Sequence, residues 1–276
     1  MEFKPVLLTT VTFLVTAVYV CESCCRKKST TAQYDTGDLK IVPLTPSKSF
    51  DTVSYDVEFF NRARGYPFCD LTTRHARLEI GQGDQSADWL IDSGWMEVGM
   101  KLLQRKLEND TLFFTTTTGE GASGPYAFRC YYHSSCANLI RVKLKAWKRL
   151  DLISGRVYSA NTIQGGRFEL AAGADTSVDI AINAERLKVT AKPGADIYFT
   201  GFAEKLFLEQ YDESINFNGT ELRTKEADVI LSNSSPILKI TDRLTGIIDR
   251  STVYLIGSPR IQVTRLNGGT IVNIDG

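Results

Sequence analysis

The sequence predicts an all-β protein whose C-terminal half winds into a parallel β-solenoid. Three observations lead there. Short runs with apolar residues at alternate positions recur from about Leu150 to Ile274. Gly, Asp, Ser and Asn fill the intervals between them. No stripe of helical period runs through this half. Each run is too short to make a sheet alone, so the runs must stack and bury one another's apolar faces.

In chain order, residues 1–25 read as a signal or anchor segment, 26–50 as a linker and 51–276 as the folded domain. From Pro5 to Val20 there is no charge, and the run is apolar on every side. Its 16 residues fall short of a spanning helix, although Cys21 to Cys25 could extend it. Three fates stay open: a retained anchor, lipidation at Cys21 or Cys24, or cleavage. Each puts the segment in contact with a membrane. Arg26, Lys27 and Lys28 outweigh Lys4, and the positive-inside rule would then hold the C-terminal side in the cytoplasm. The following stretch, rich in Ser, Thr, Lys and Asp, has the composition of a linker.

The folded part opens with Val53, Tyr55, Val57 and Phe59 in alternation. Arg77 to Asp84 reads as a short strand entering a Gly-rich turn, and Met96 to Leu107 as the one stretch with helical potential. Thr111 to Thr118 is strand-like, and Gly119 to Pro125 a loop. Neither Gly81-Gln-Gly-Asp84 nor Gly119-Glu-Gly121 has the spacing or the following helix of a phosphate loop, so both read as turns. The patch Tyr126 to His133 is dense in aromatics; a strand with a satellite core explains it better than sugar stacking. Cys130 and Cys136 could close a disulfide in an oxidising compartment, leaving Cys69 over. A zinc site with His133 lacks a second matching pair of ligands.

From Leu150 the repeat takes over in units of roughly 15–21 residues. Its runs are Leu187–Val189, Ile197–Phe199, Leu206–Leu208, Ile215–Phe217, Val229–Leu231, Leu238–Ile240 and Val253–Leu255. The turn residues Asp175, Asp196 and Asp228 stand at what read as successive corners, where Asp bonds back to nearby amides. The formal net charge is zero and the isoelectric point is near 6.7, which leaves no electrostatic footprint for nucleic acid. In the basic cluster Arg141, Lys143 and Lys145 alternate with Val142 and Leu144, as on a solvated strand face.

Gly246 to Ile261, with the corner Gly257-Ser-Pro259 and then Leu266-Asn-Gly-Gly269, resembles the last rungs of the head GIN domain family of bacterial auto-transporter adhesins. Upstream, Leu78 to Asp84 is similar to that family's opening strand and turn. Leu107-Glu-Asn-Asp-Thr-Leu112 is similar to its hairpin, with Asn109 and Asp110 where Gly is usual. The resemblance spans about Val53 to Ile274. It implies a right-handed parallel β-solenoid, export to the bacterial envelope and no established catalytic residues; with the N-terminal segment, the expectation is a membrane-anchored, extracytoplasmic protein in the periplasm or at the cell surface, without a cofactor. Tyr126 to Cys136 and the absent lipobox depart from it.

The functional expectation is a non-catalytic adhesin or partner-binding solenoid whose partner is a protein or a glycan. With His75 and His133 as the only histidines, neither in a nucleophile motif, a catalytic triad has little to build on. Two alternatives remain. A polysaccharide-cleaving β-helix enzyme would need two carboxylates facing one groove, with Asp175, Asp196 and Asp228 as the stacking candidates. An end-to-end assembling envelope scaffold would use the open strand edges of the solenoid ends.

Overall fold

A strand with alternating apolar and polar residues buries one face, and here the alternation continues through several bends of the backbone. The computed structural model describes residues 39–57, 76–92, 103–116, 138–174 and 176–275. Within them the strands are β1 (Leu39–Pro43), β2 (Thr52–Asp56), β3 (Ala76–Gln82), β4 (Ser86–Asp92), β5 (Leu103–Glu108) and β6 (Thr111–Thr116). Then come β7 (Asn138–Leu144), β8 (Arg149–Leu152), β9 (Arg156–Ser159), β10 (Ile163–Ala172), β11 (Ser177–Ala191) and β12 (Asp196–Gln210). The last are β13 (Asn216–Ser232), β14 (Ile237–Asp249), β15 (Thr252–Ile256), β16 (Arg260–Leu266) and β17 (Thr270–Asn273). None of the described residues is helical.

The strands stack as a parallel β-solenoid of about 7 turns. Its first face runs β1-β4-β7-β3-β9-β11-β12-β13-β14-β15-β17. Its second face runs β5-β6-β2-β8-β10-β11-β12-β13-β14-β16. The long strands β11 to β14 bend and serve both faces. One rung takes 19 residues from β10 to β12, where Ile163 pairs with Ile182 and Ile182 with Gly201. Inserted residues lengthen the step to 20 and then 21 between β12 and β13. It falls to 17 between β14 and β16.

All seven apolar runs point their first and third residues inward: Leu187, Val189, Ile197, Phe199, Leu206 and Leu208 are buried, and the pattern continues to Val253 and Leu255. The intervening residues face out. Stacking places like upon like, so that Leu150, Leu170, Val189, Leu208 and Val229 lie in one ladder. Burial of such side chains contributes roughly 1.5–3 kcal/mol each.

The chain does not wind in simple sequence order at its N-terminal end. β2 lies between β6 and β8, with Thr52 paired to both Thr111 and Arg149. Likewise β3 lies between β7 and β9. The segment containing β4 to β7 therefore folds back beyond the rung of β2 and β3. Antiparallel strands complete that end, β1 and β4 on the first face and β5 on the second.

Two expectations are corrected. Leu103 to Leu107, the end of the stretch read as helical, lies in β5; residues 96–102 fall outside the described ones. β5 turns into β6 through Asn109 and Asp110, both at positive φ (48° and 60°), the backbone of a two-residue hairpin whose strands twist together. The folded part also begins before residue 51. β1 lies within the expected linker, and Leu44 and Phe50 are buried in the core. The N-terminal segment, residues 1–25, lies outside the described residues.

Candidate binding surface

On the first face the outward positions form columns one residue wide. The central column runs through Tyr158, Asp179, Tyr198, Asn218, Ile237 and Tyr254, each in register with the next. Its direction follows from the alternation: Val157, Val178, Ile197, Phe217, Leu238 and Val253 are buried, so the residue beside each faces solvent. Neighbouring strands lie about 4.8 Å apart. Tyr158 and Tyr198, two strands apart with Asp179 between them, therefore stand about 9.6 Å apart.

The ring of Tyr158 is anchored from one end of the column. Its hydroxyl donates to Glu79 Oε2 at 3.1 Å, and Glu79 is ion-paired with the Arg141 guanidinium. Burial, then the nearby Glu79 charge, pushes the Tyr158 phenol up to about 12. The hydrogen bond that Arg141 donates to Glu79 raises Arg141 above its ordinary value. Arg141 is thus not a free member of a basic patch; Val142 and Leu144 face inward as the alternation predicts.

Beside the tyrosines the surface is rich in hydrogen-bonding groups. Asn216 Nδ2 donates to Asp196 Oδ1 at 2.8 Å, and the Thr220 hydroxyl donates to Asn218 Oδ1 at 2.8 Å. Asp179 is exposed and has no ion-pair partner among the described residues. Other outward aromatic rings are treated differently. Lys188 Nζ stands 5.5 Å over the Phe207 ring, and Lys225 Nζ 5.9 Å over the Phe202 ring. Among the described residues no cation stands over Tyr198 or Tyr254.

A shallow hollow of about 250 Å³ opens along β10, β11 and β12, lined by Gln164, Asn183, Glu185, Phe202 and Glu204 around the small Gly165 and Ala184. Glu204 is paired with Lys225 at 3.5 Å.

The aspartates proposed as a stacked set do not form one. Asp196 is on the first face, paired in register with Ser177 and Asn216. Asp228 is not at a corner: it lies within β13 on the second face, beside Phe207 and Thr245. Its carboxylate accepts from the Thr245 hydroxyl at 3.2 Å. Asp175 lies outside the described residues, as do Cys21, Cys24, Cys69, Cys130, Cys136, His75 and His133. The lipidation and disulfide expectations therefore fall there too. Alternation pointed to Tyr198 and Tyr254 as outward residues, each at the centre of an apolar-x-apolar run. It could not align them into a column, because the rung length changes along the chain.

Long stacked faces with an open aromatic and amide column define a surface-presenting β-solenoid. Residues 100–259 match the family described as "Putative auto-transporter adhesin, head GIN domain". The chain belongs to that family. No curated protein matches the sequence. A crystal structure of a "putative adhesin" from Bacteroides fragilis superposes with a TM-score of 0.65 at 14% identity, covering 86% of this chain and 97% of the other. Another, from Parabacteroides distasonis, gives a TM-score of 0.57 at 10% identity over 84% and 95%. At these identities the likeness is one of fold.

Proposed function

We propose that the protein is a non-catalytic adhesin of the bacterial envelope, presented outside the cytoplasm and held at the membrane through residues 1–25. The observation that carries this reading is the continuous outer face of stacked strands from β9 to β17 in a member of the adhesin family. Such a face suits an extended contact with a partner more than the enclosure of a small substrate.

The ionisable groups support the same reading. Three of those held away from their ordinary values have neighbours that serve the ladder. Arg149 is raised by its bond to Asp151. Asp249 is lowered by a hydrogen bond from Asn267, and Arg141 is raised by Glu79. These are cross-rung and in-strand pairs on outer faces, and Asp196 and Asp228 stand on different faces rather than around one groove.

The test is a protease treatment of intact cells of the native host carrying an epitope tag after Gly276, followed by an adherence assay with a deletion strain. Loss of the tag together with loss of adherence on deletion is expected. A tag protected even after the outer membrane is permeabilised would put the solenoid in the cytoplasm and overturn the proposal. Turnover of a polysaccharide that disappears on replacing a single carboxylate would overturn the non-catalytic part.

A further inference from the structure

We infer that the Tyr158–Tyr254 column is a binding strip for a linear, uncharged polysaccharide laid along the solenoid axis. The inference rests on the adhesin reading and supplies its ligand class and site.

Three features of the column point to a sugar polymer. First, over its first four rungs it alternates planar rings with short hydrogen-bonding side chains, Tyr158, Asp179, Tyr198 and Asn218, before Ile237 and Tyr254. A pyranose offers the same two things, an apolar C–H face for a ring to cover and equatorial hydroxyls for carboxylates and amides. Tyr158 and Tyr198 stand two strands apart, about 9.6 Å, and Tyr198 and Tyr254 three strands apart, about 14.4 Å, so a chain advancing roughly one sugar per rung meets rings at its first, third and sixth sugars. Second, the platform is preorganised. The Tyr158 hydroxyl is tied to Glu79 and the Asn218 carbonyl oxygen accepts from Thr220, so less side-chain freedom is lost on binding. Third, among the described residues no cation stands over the Tyr198 or Tyr254 ring, whereas Phe202 and Phe207 lie under lysines.

Charge selects among polysaccharides. The adjoining column carries both signs, Arg77 and Arg156 with Asp196, but within the column itself the exposed charge is the Asp179 carboxylate, and a uronate or sulfated polymer centred there would bring like charge against it. Uncharged polymers meet no such barrier. A protein partner is less well matched: large aliphatic residues enter the column only at Ile237 and Val272, so it lacks the apolar centre of a protein interface.

The experiment measures depletion of the full-length, detergent-solubilised chain by insoluble cellulose, chitin, xylan, mannan and starch, with calcium polygalacturonate as the anionic counterpart. Retention on at least one uncharged polymer and weaker retention on polygalacturonate are expected. Tyr198→Ala should weaken that retention at least ten-fold, whereas Tyr198→Phe, which keeps the ring, stays within about three-fold of the parent. Both variants should unfold at the parent temperature, since the side chain faces outward; Tyr254→Ala is the second variant should Tyr198→Ala fail to fold. Retention on none of the five polymers, stronger retention on polygalacturonate, or a Tyr198→Ala chain that binds like the parent would overturn the inference. So would adherence that depends on this chain but survives periodate oxidation of the target surface, which would identify a protein ligand. The two readings separate in the cell assay. Chain-dependent adherence untouched by Tyr198→Ala removes the strip and leaves the adhesin. Polymer binding by a chain whose deletion leaves adherence intact removes the adhesin and leaves the strip.

Discussion

Gly246→Ala should be among the most damaging single-methyl changes in this protein. Gly246 lies in β14 at an inward position of the second face, between Val229 and Val263. Its φ is +119°, and a Cβ there would lie 1.9 Å from the Val229 carbonyl oxygen and 2.6 Å from the Val229 nitrogen. The obstructing atoms are backbone, so no side chain can swing aside, and β14 would have to move off β13. A non-glycine residue in this region costs about 1–3 kcal/mol, and forcing a methyl into a packed core about 1–3 kcal/mol more. The smaller entropy of the unfolded alanine chain offsets about 0.4–1 kcal/mol. The net loss is about 2–5 kcal/mol, which at roughly 2–4 °C per kcal/mol for a domain of this size lowers Tm by about 4–20 °C. Gly268→Ala is the control: φ is +85° but nothing lies within 4 Å of the added methyl, so only the conformational cost of about 1–2 kcal/mol remains. Gly83→Ala is the second, with Lys143 Cδ 3.7 Å away, and is expected to be neutral. Thermal unfolding by circular dichroism ranks the three. Hydrogen exchange should show the loss concentrated in β13 and β14, because a repeat array yields locally. A Gly246→Ala chain as stable as Gly268→Ala would refute the close approach of the two strands.

Other outcomes follow from the same packing. Among the described residues the Tyr55 hydroxyl and both amide atoms of Gln210 are buried with no hydrogen-bond partner, so Tyr55→Phe and Gln210→Leu should each raise stability, by about 1–3 kcal/mol; a fall in denaturant midpoint for both would count against those surroundings. Tyr158 should be among the last tyrosines to form tyrosinate on alkaline titration, near pH 12, since burial and then Glu79 hold its proton. Because its folded value lies above the ordinary value of 10.0, its contribution to stability is full below pH 10 and is lost as pH rises through 12. Glu79→Gln should move the ionisation down only part of the way, and an unchanged titration would show that Glu79 does not face the phenol. Leu208→Asp or Ile240→Asp, at positions with 0% exposure, should unfold the neighbouring rungs, while Asp179→Ala leaves Tm within a degree or two; equal losses would refute the register.

How far the sequence could be read depended on the range of the interaction. The inward residues of β11 to β15 were legible because alternation is local and each run carries its own polarity, as at Leu206, Phe207 and Leu208. The Asn109–Asp110 hairpin was legible from its resemblance to a known turn. The interleaving of β2 and β3 with later strands was not, because Thr52 pairs with residues 59 and 97 positions away and nothing near Thr52 marks either partner. Leu103 and Leu107 fit a helical face and a strand face equally well, and pairing with β6 decided between them. The tyrosine column needed both levels: alternation turns each tyrosine outward, but only the inserted residues between β12 and β13 bring Asn218 rather than a neighbour beside Tyr198.

The ends of the solenoid bear on whether its faces or its edges make contacts. Among the described residues β16 and β17 pair on one side only, as do β1 and β5. An open parallel edge is a template for another strand. Here the last rung breaks two of the apolar ladders, while Ile261, Val263 and Ile271 continue the others. Arg265 follows the buried Ile248, and Asn273 follows the buried Leu255. At the other end β1 carries Lys40 and Pro43, the latter without an N–H to donate, and β5 carries exposed Arg105 and Lys106. A charged or polar side chain at an inward position and proline on an edge are both devices that discourage strand addition. Juxtaposing β16 with β5 of a second copy would also bring Arg260 and Arg265 against Arg105 and Lys106. The detergent-solubilised chain should therefore give a scattering mass that does not grow with concentration, and Arg265→Leu combined with Asn273→Val should make it grow. Filaments formed by the parent chain, or no change in the double variant, would show that the ends are controlled by something other than these side chains. Blunted edges would leave recognition to the outward columns, among them the Tyr158–Tyr254 column of the first face.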